Sequence, residues 1–191
     1  MNVLNNLNRL EEQKRIVFDK VEKEIKALKK TAKQGYSGKI NHKKTVVDDI
    51  TFDSKMESEY YRYLKALKEH NLIKDFSRQP EYILQDKFII VDGEIIYGND
   101  ERFNKLKRKT KAETIRAIKY RGDFLVEELD GTVYVVDTKG ISTTEFEIKR
   151  KMFICKNPTL SLKVLIKRKE GWVDFYENKK KVKAKKKAKS A

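Results

Sequence analysis

The chain has 191 residues, a size that suggests one domain of about 150 residues with extensions. Its single cysteine, Cys155, excludes an internal disulfide and a zinc site of paired cysteines, and two histidines, His42 and His70, argue against a histidine-rich metal site. Any catalytic metal would therefore be held mainly by oxygen ligands, which favours magnesium or manganese.

The net charge of +16 predicts a polyanionic partner. Nucleic acid is the first candidate and an anionic membrane surface the second. No apolar stretch approaches the roughly 18 residues of a spanning helix. The N-terminus also lacks the pattern of a signal peptide, so we expect a cytoplasmic protein without membrane contact.

The N-terminal part of the chain predicts two helices joined by a linker. Apolar residues recur at spacings of three, four and seven in residues 1–34, which indicates a helix that packs on the domain or forms a dimer interface. Residues 35–50 contain two glycines and a basic patch, which are typical of a linker. A second helix is predicted from about Ser54 to His70.

Short strands follow. Glu81–Leu84 and Phe88–Val91 have strand composition, and Asp92-Gly93 indicates a hairpin turn. Residues 99–116 are strongly basic and weakly patterned. They predict a loop or short helix near DNA, and a solvated surface loop is equally compatible with the pattern.

The next segment predicts a hairpin. Ile118–Glu127 and Thr132–Thr138 have strand composition and are joined by the turn Asp130-Gly131. The remaining predicted elements are a helix from Thr143 or Thr144 to about Cys155 and strands at Leu162–Ile166 and Trp172–Tyr176. The main domain would then span residues 51–178. Residues 179–191 contain eight lysines in thirteen positions and predict a disordered tail that adds non-specific affinity for phosphates.

Two acids and a lysine in the predicted hairpin suggest phosphodiester chemistry. Residues i and i+2 of a strand face the same way, so Asp137 and Lys139 would project side by side. Asp123 lies on the strand joined to them by the turn, beside an apolar run where an unbound acid is costly. Phosphodiester hydrolysis needs converging carboxylates for divalent cations, and a nearby lysine can orient the attacking water.

A wider pattern carries a family resemblance. It consists of Phe52-Asp53-Ser54-Lys55-Met56-Glu57, Gln79-Pro80, Tyr120-x-x-Asp123-Phe124, Asp137-x-Lys139-Gly140 and Phe146-x-Ile148-Lys149-x-Lys151-x-Phe153. In this order the segments resemble small phage and prophage proteins grouped with PD-(D/E)XK endonucleases and Holliday-junction resolvases. The resemblance covers about residues 40–167. It implies an α/β fold with a restriction-endonuclease-like core, in which helices flank a mixed central sheet.

The resemblance also implies a site. Glu57, Asp123 and Asp137 would ligate Mg²⁺, with Mn²⁺ as a substitute, and Lys139 would position the water. The backbone carbonyl of Thr138 would add a ligand, because its side chain should face away. Glu57 has another interpretation, since Ser54-x-x-Glu57 is also a capping box, and Glu59 is a competing carboxylate.

Candidate DNA contacts form a less specific group, for which solvated side chains are the alternative. They are Gln79, Lys105, Lys107, Arg108, Lys109, Lys149 and Lys151. The expected activity is Mg²⁺-dependent cleavage of DNA, preferably branched, in phage recombination or replication inside a bacterial host cell. Resolvases of this class act as dimers, so a homodimer is expected. The alternatives are a non-catalytic basic DNA-binding protein and an RNA-binding protein.

Overall fold

The structure is a computed structural model that describes residues 2–31, 45–109 and 112–189, with side chains described for 6–27, 45–108 and 112–184. Its helices are α1 (Asn2–Thr31), α2 (Lys55–Glu69), α3 (Phe103–Lys109), α4 (Thr144–Lys156) and α5 (Phe175–Lys189). Its strands are β1 (Thr45–Val47), β2 (Ile50–Phe52), β3 (Asp75–Arg78), β4 (Glu81–Gln85), β5 (Phe88–Val91), β6 (Glu94–Tyr97), β7 (Glu113–Ile115), β8 (Ile118–Arg121), β9 (Phe124–Glu127), β10 (Val133–Thr138), β11 (Ser161–Arg168) and β12 (Gly171–Asp174).

A mixed sheet in the order β12-β11-β10-β9-β3 forms the centre of the fold. β10 pairs in parallel with β11 and antiparallel with β9, and the other neighbours are antiparallel. α4 makes the crossover between the parallel strands. The predicted α/β architecture with a mixed sheet flanked by helices is confirmed at this level.

Alternating residues of β10 divide the core between the two faces of the sheet. Val136 faces α1 and α2 and shares a core with Tyr60 and Val21. Val135 faces the other side and shares a core with Phe153 of α4. Because α1 contributes buried apolar residues to the first core, the structure shows it packed on the domain, one of the two roles predicted for it.

A bend at Gly122-Asp123 divides what the sequence predicts as one strand, Ile118–Glu127, so that prediction is wrong. β9 stays in the central sheet, whereas β8 pairs with β4 outside it. A Cβ atom at Gly122 would lie 2.5 Å from Val135 Cγ1, so only glycine allows this close approach. In the connection between β3 and β4, Gln79 adopts a positive φ of 52°, and its N–H donates to the carbonyl of Asp123 at 2.9 Å.

An inserted lobe lies between β4 and β8. β5, β6 and β7 form a three-stranded sheet on which α3 packs, with Ile89, Ile96 and Phe103 as its small core. The predicted hairpin turn is confirmed by positive φ values at Asp92 and Gly93. Of the alternatives for residues 99–116, the structure shows the short helix, and β7 follows it.

Two predictions at the edges of the domain need correction. The predicted linker 35–50 contains β1 and the start of β2, which form a hairpin; residues 32–44 lie outside the described residues. The predicted strand Trp172–Tyr176 ends at Asp174, whose Oδ1 accepts hydrogen bonds from the N–H groups of Tyr176 and Glu177. This cap starts α5, and lysine and alanine favour the helix through Lys189, where a disordered tail is predicted.

Within the described ranges, no helix has both the length and the apolarity needed to cross a bilayer.

Candidate functional site

Asp137 is a buried acid at the end of the central strand β10. Its side chain is 2% exposed. The Tyr120 hydroxyl donates to Oδ2 at 2.9 Å, and Lys139 Nζ forms an ion pair with Oδ1 at 2.7 Å. The geometry at Oδ1 is not that of a hydrogen bond, and this buried oxygen has no hydrogen-bond partner among the described residues. The ion pair between the two side chains confirms the predicted placement of Asp137 beside Lys139.

Asp123 occupies the bend between β8 and β9 and reaches the end of β10. Its Oδ2 accepts hydrogen bonds from the backbone N–H of Thr138 at 2.6 Å and from the Thr138 hydroxyl at 2.8 Å. The prediction that the Thr138 side chain faces away from the site is therefore wrong. The Thr138 side chain points toward Asp123 because of the bend at Gly122-Asp123. This bend carries Asp123 past the end of β10, to the side on which the Thr138 side chain lies.

Glu57 approaches from the first turn of α2. The Ser54 hydroxyl accepts a hydrogen bond from the Glu57 N–H at 3.0 Å, so Ser54 caps the helix. The competing carboxylate, Glu59, is engaged elsewhere, since it accepts a hydrogen bond from Lys167 Nζ at 2.5 Å. Glu57, by contrast, lies within electrostatic reach of Asp137 and Lys139. Of the two, Glu57 is the acid whose charge acts on Asp123, and its carboxylate also interacts with the Ser54 hydroxyl, so its role as the third acid stays a prediction.

Burial raises the pKa values of all three acids of the site. Burial, followed by the charges of Asp137 and Glu57, raises the pKa of Asp123 to about 7. Burial also raises the pKa of Glu57 and that of Asp137, although Lys139 and Tyr120 oppose the second shift. Burial lowers the pKa of Lys139, but the attraction of the carboxylates outweighs it and raises the value. Three acids therefore face one lysine, which leaves negative charge uncompensated.

The donor set fits a divalent cation. Carboxylate oxygens are the ligands that Mg²⁺ and Mn²⁺ prefer, and Asp137 Oδ1 is a buried oxygen without a hydrogen bond. A cation would also offset the charge that raises the pKa of Asp123. In the described part of the chain, no three acidic, histidine or cysteine side chains are already arranged as a metal-binding group. Metal binding therefore remains a prediction that rests on donor chemistry and charge.

One protein family matches most of the chain. Its description is Protein of unknown function (DUF1064), and the match covers residues 37–171. The chain belongs to this family. The matched region contains all four predicted catalytic residues, whereas α1 and α5 lie entirely outside it. A search of curated proteins and a search of solved structures each found no match.

The candidate DNA contacts are dispersed. Gln79 adjoins the site through its backbone hydrogen bond to Asp123. Lys105, Lys107 and Arg108 are exposed on α3 of the inserted lobe, and the side chain of Lys109 lies outside the described residues. On α4, Lys149 pairs with Glu145 at 2.8 Å, and Lys151 is exposed. The structure thus brings the four predicted catalytic residues together and leaves most of the basic ones apart.

Tyr120 and Phe146 are two further parts of the site that the sequence did not assign to it. Tyr120 holds Asp137, and the Lys139 ammonium lies 4.8 Å from the centre of the Phe146 ring. Both aromatic residues belong to the core beneath Asp137. Both stand in the motif of the family resemblance, but the hydrogen bond from Tyr120 depends on the bend that separates β8 from the central sheet.

We expect Asp123→Asn to stabilise the metal-free protein at neutral pH. Because its pKa is raised from an ordinary value of 3.8 to about 7, folded Asp123 retains a proton that the unfolded chain has lost. The stability that Asp123 contributes therefore falls as the pH rises from about 4 to about 7, and an asparagine at this position removes that pH dependence. Thermal unfolding of both proteins across this range measures the difference in Tm. At about pH 8, Mn²⁺ should raise the Tm of the wild type more than that of the variant.

An exposed acid provides the control for this measurement. Asp130→Asn in the β9–β10 turn should show no pH-dependent difference from the wild type above about pH 5, because the hydrogen bond from the Thr132 N–H holds the pKa of Asp130 below its ordinary value. It should respond to Mn²⁺ as the wild type does. A difference between Asp123→Asn and wild type that does not change with pH would contradict the pKa assigned to Asp123.

Proposed function

We propose that this protein is a divalent-metal-dependent DNA endonuclease with a PD-(D/E)XK core. The observation that carries the proposal is the buried Asp137, held by Lys139 and Tyr120 at the end of a central strand, with the other two acids within electrostatic reach. A buried acid without compensation is unfavourable, and a cation between the acids would offset that cost. The net charge of +16 supports a nucleic acid as substrate.

Each residue has a role in this proposal. Glu57, Asp123 and Asp137 would hold Mg²⁺ or Mn²⁺, and the backbone carbonyl of Thr138 remains a candidate ligand. When bound, the cation would acidify a water and offset charge on the phosphate. The Thr138 N–H and hydroxyl both donate to Asp123 Oδ2, so the other carboxylate oxygen would be the one that binds the cation. Lys139 would hold the attacking water beside the phosphate, with its ammonium positioned by Asp137 and Phe146.

We further propose that the substrate is branched DNA formed in phage recombination or replication in the cytoplasm of a bacterial host. Cutting both sides of a junction needs two sites, so the proposed active form is a homodimer. This narrower assignment rests on the motif resemblance and on the charge of the chain.

The proposal is tested by incubating the purified chain with labelled DNA in Mg²⁺ or Mn²⁺. The substrates are a four-way junction, a linear duplex and a single strand of matched sequence, with an RNA duplex beside them. We expect cleavage of the junction first. Binding of DNA without cleavage of any substrate would instead indicate a non-catalytic DNA-binding protein, and a preference for RNA without a metal requirement would indicate an RNA-binding protein.

Tyr120→Phe should weaken use of the metal while leaving the fold intact. The change removes the hydrogen bond that holds Asp137 Oδ2. Loss of such an outer hydrogen bond typically costs about 10- to 100-fold in metal affinity or activity. We expect a higher metal concentration for half-maximal cleavage, with partial recovery at high Mn²⁺. Tyr82→Phe is the matched control, because Tyr82 packs on Phe153, as Tyr120 does. Equal metal requirements for the two variants would contradict this role.

A further inference from the structure

Helix α5 is anchored beside the candidate active site. The Tyr176 hydroxyl donates to Glu147 Oε1 at 2.8 Å, and the Ser142 hydroxyl donates to the same oxygen at 2.5 Å. Ser142 lies three residues after Lys139, in the loop that leaves the site. Glu147 therefore ties the first turn of α5 to that loop.

Other contacts fix the direction in which α5 leaves the domain. Phe175 is buried in the core under α4. The Arg150 guanidinium lies 4.3 Å from the centre of the Tyr176 ring, and Arg168 Nε donates to Asn178 Oδ1 at 3.1 Å. The first turn is therefore held by an apolar contact, a cation–π contact and hydrogen bonds to two other elements.

Beyond this anchored turn, the sequence of α5 is strongly basic. After Glu177 its sequence contains no acid, and its lysines are Lys179, Lys180, Lys181, Lys183, Lys185, Lys186, Lys187 and Lys189. Those with described side chains are exposed. Repulsion between lysines three and four residues apart opposes the helix, and phosphates bound along it would relieve that repulsion. Such a helix has no apolar face for a protein partner and is complementary to a polyanion.

We propose that α5 is a preformed arm that binds the phosphate backbone of DNA flanking the scissile phosphodiester. This inference rests on the proposed function, since the DNA must pass the candidate site at which the arm begins. It differs from non-specific attraction by a flexible lysine tail, because the helix and its anchor fix where the charges lie. The helix, and not the number of lysines alone, should then contribute to affinity.

The test measures binding by the full chain carrying Asp137→Asn, so its outcome does not depend on cleavage. Val182 is 42% exposed, so Val182→Pro interrupts the helix without removing a core side chain or a lysine. Val182→Ala keeps the helix and is the control. Fluorescence anisotropy with a labelled DNA duplex at several salt concentrations gives the dissociation constant and its salt dependence, and circular dichroism reports helix content.

We expect Val182→Pro to weaken binding by about tenfold at moderate salt and to reduce the slope of log affinity against log salt, because fewer phosphate contacts form. Val182→Ala should bind like its parent, and Tyr176→Phe, which removes only the hydrogen bond to Glu147, should show a smaller loss than Val182→Pro. If the proline and alanine variants bound DNA with equal affinity and equal salt dependence, the proposal that α5 is a DNA-binding arm would be wrong. Unchanged binding after truncation at Asn178, or tighter binding to an RNA duplex than to DNA, would also overturn it. Absence of cleavage by the wild type would overturn the proposed function instead.

Discussion

Asp137→Asn is expected to reduce the rate of DNA cleavage by about 10³-fold or more while DNA binding remains. The substitution removes the charge that would hold the cation, and losing a main charge-stabilising group typically costs 10²- to 10³-fold or more. The side-chain oxygen of asparagine can still accept the hydrogen bond from Tyr120, so the strand end should keep its geometry. Affinity should be equal or higher, because one negative charge near the DNA is lost.

The measurement is a single-turnover cleavage time course together with a binding isotherm on the same labelled junction. Asp130→Asn is the matched control, because it makes the same chemical change at an exposed position of the hairpin that carries Asp137. The control should cleave at the wild-type rate. An Asp137→Asn protein that cleaves within a few-fold of this control would show that the site lies elsewhere.

Glu57→Gln should reduce cleavage by about 100-fold, whereas Glu59→Gln should mainly affect stability. The two glutamates lie two residues apart on α2 but face different partners. Glu57 is within electrostatic reach of Asp137 and Lys139, whereas Glu59 pairs with the mostly buried Lys167, which also pairs with Glu22. Glu59→Gln weakens the hydrogen bond between Lys167 and residue 59 in a mostly buried cluster and should therefore lower stability modestly, while Lys167 keeps its ion pair with Glu22.

The two variants are compared by single-turnover rate at saturating Mn²⁺ and by Tm. The expected pattern is a slow but stable Glu57→Gln protein and a less stable Glu59→Gln protein that cleaves at nearly the wild-type rate below its Tm. The reverse pattern, with Glu59→Gln slow and Glu57→Gln unaffected, would assign the third acid of the site to Glu59.

Local patterns predicted the parts of the site that depend on strand geometry. The i, i+2 rule placed Asp137 and Lys139 on one face, and the Asp130-Gly131 turn brought Asp123 to the end of β10. Ser54 caps α2 as the capping motif predicted. Each of these features depends on residues that are close together in the chain, so the local sequence is sufficient to predict it.

The features that the sequence missed depend on contacts distant along the chain. The bend at Gly122 follows from its close approach to Val135 on another strand, which composition cannot reveal. That bend turns Asp123 toward Thr138 and moves Tyr120 under Asp137. Similarly, α5 looked like a solvated tail because its lysines cannot form a core, but its anchor lies in Phe175, Tyr176 and an Asp174 cap before the lysines begin.

The most direct test of the central claim follows one cleavage reaction through removal and return of the metal. Wild-type protein is mixed with a labelled four-way junction in Mg²⁺, treated with excess EDTA, and then supplied with excess Mn²⁺, with Asp137→Asn run beside it. We predict that wild-type cleavage starts, stops and resumes, and that the variant stays inactive throughout. Wild-type cleavage that continues in EDTA, or a variant that cleaves in step with the wild type, would contradict a metal-dependent site at Asp137.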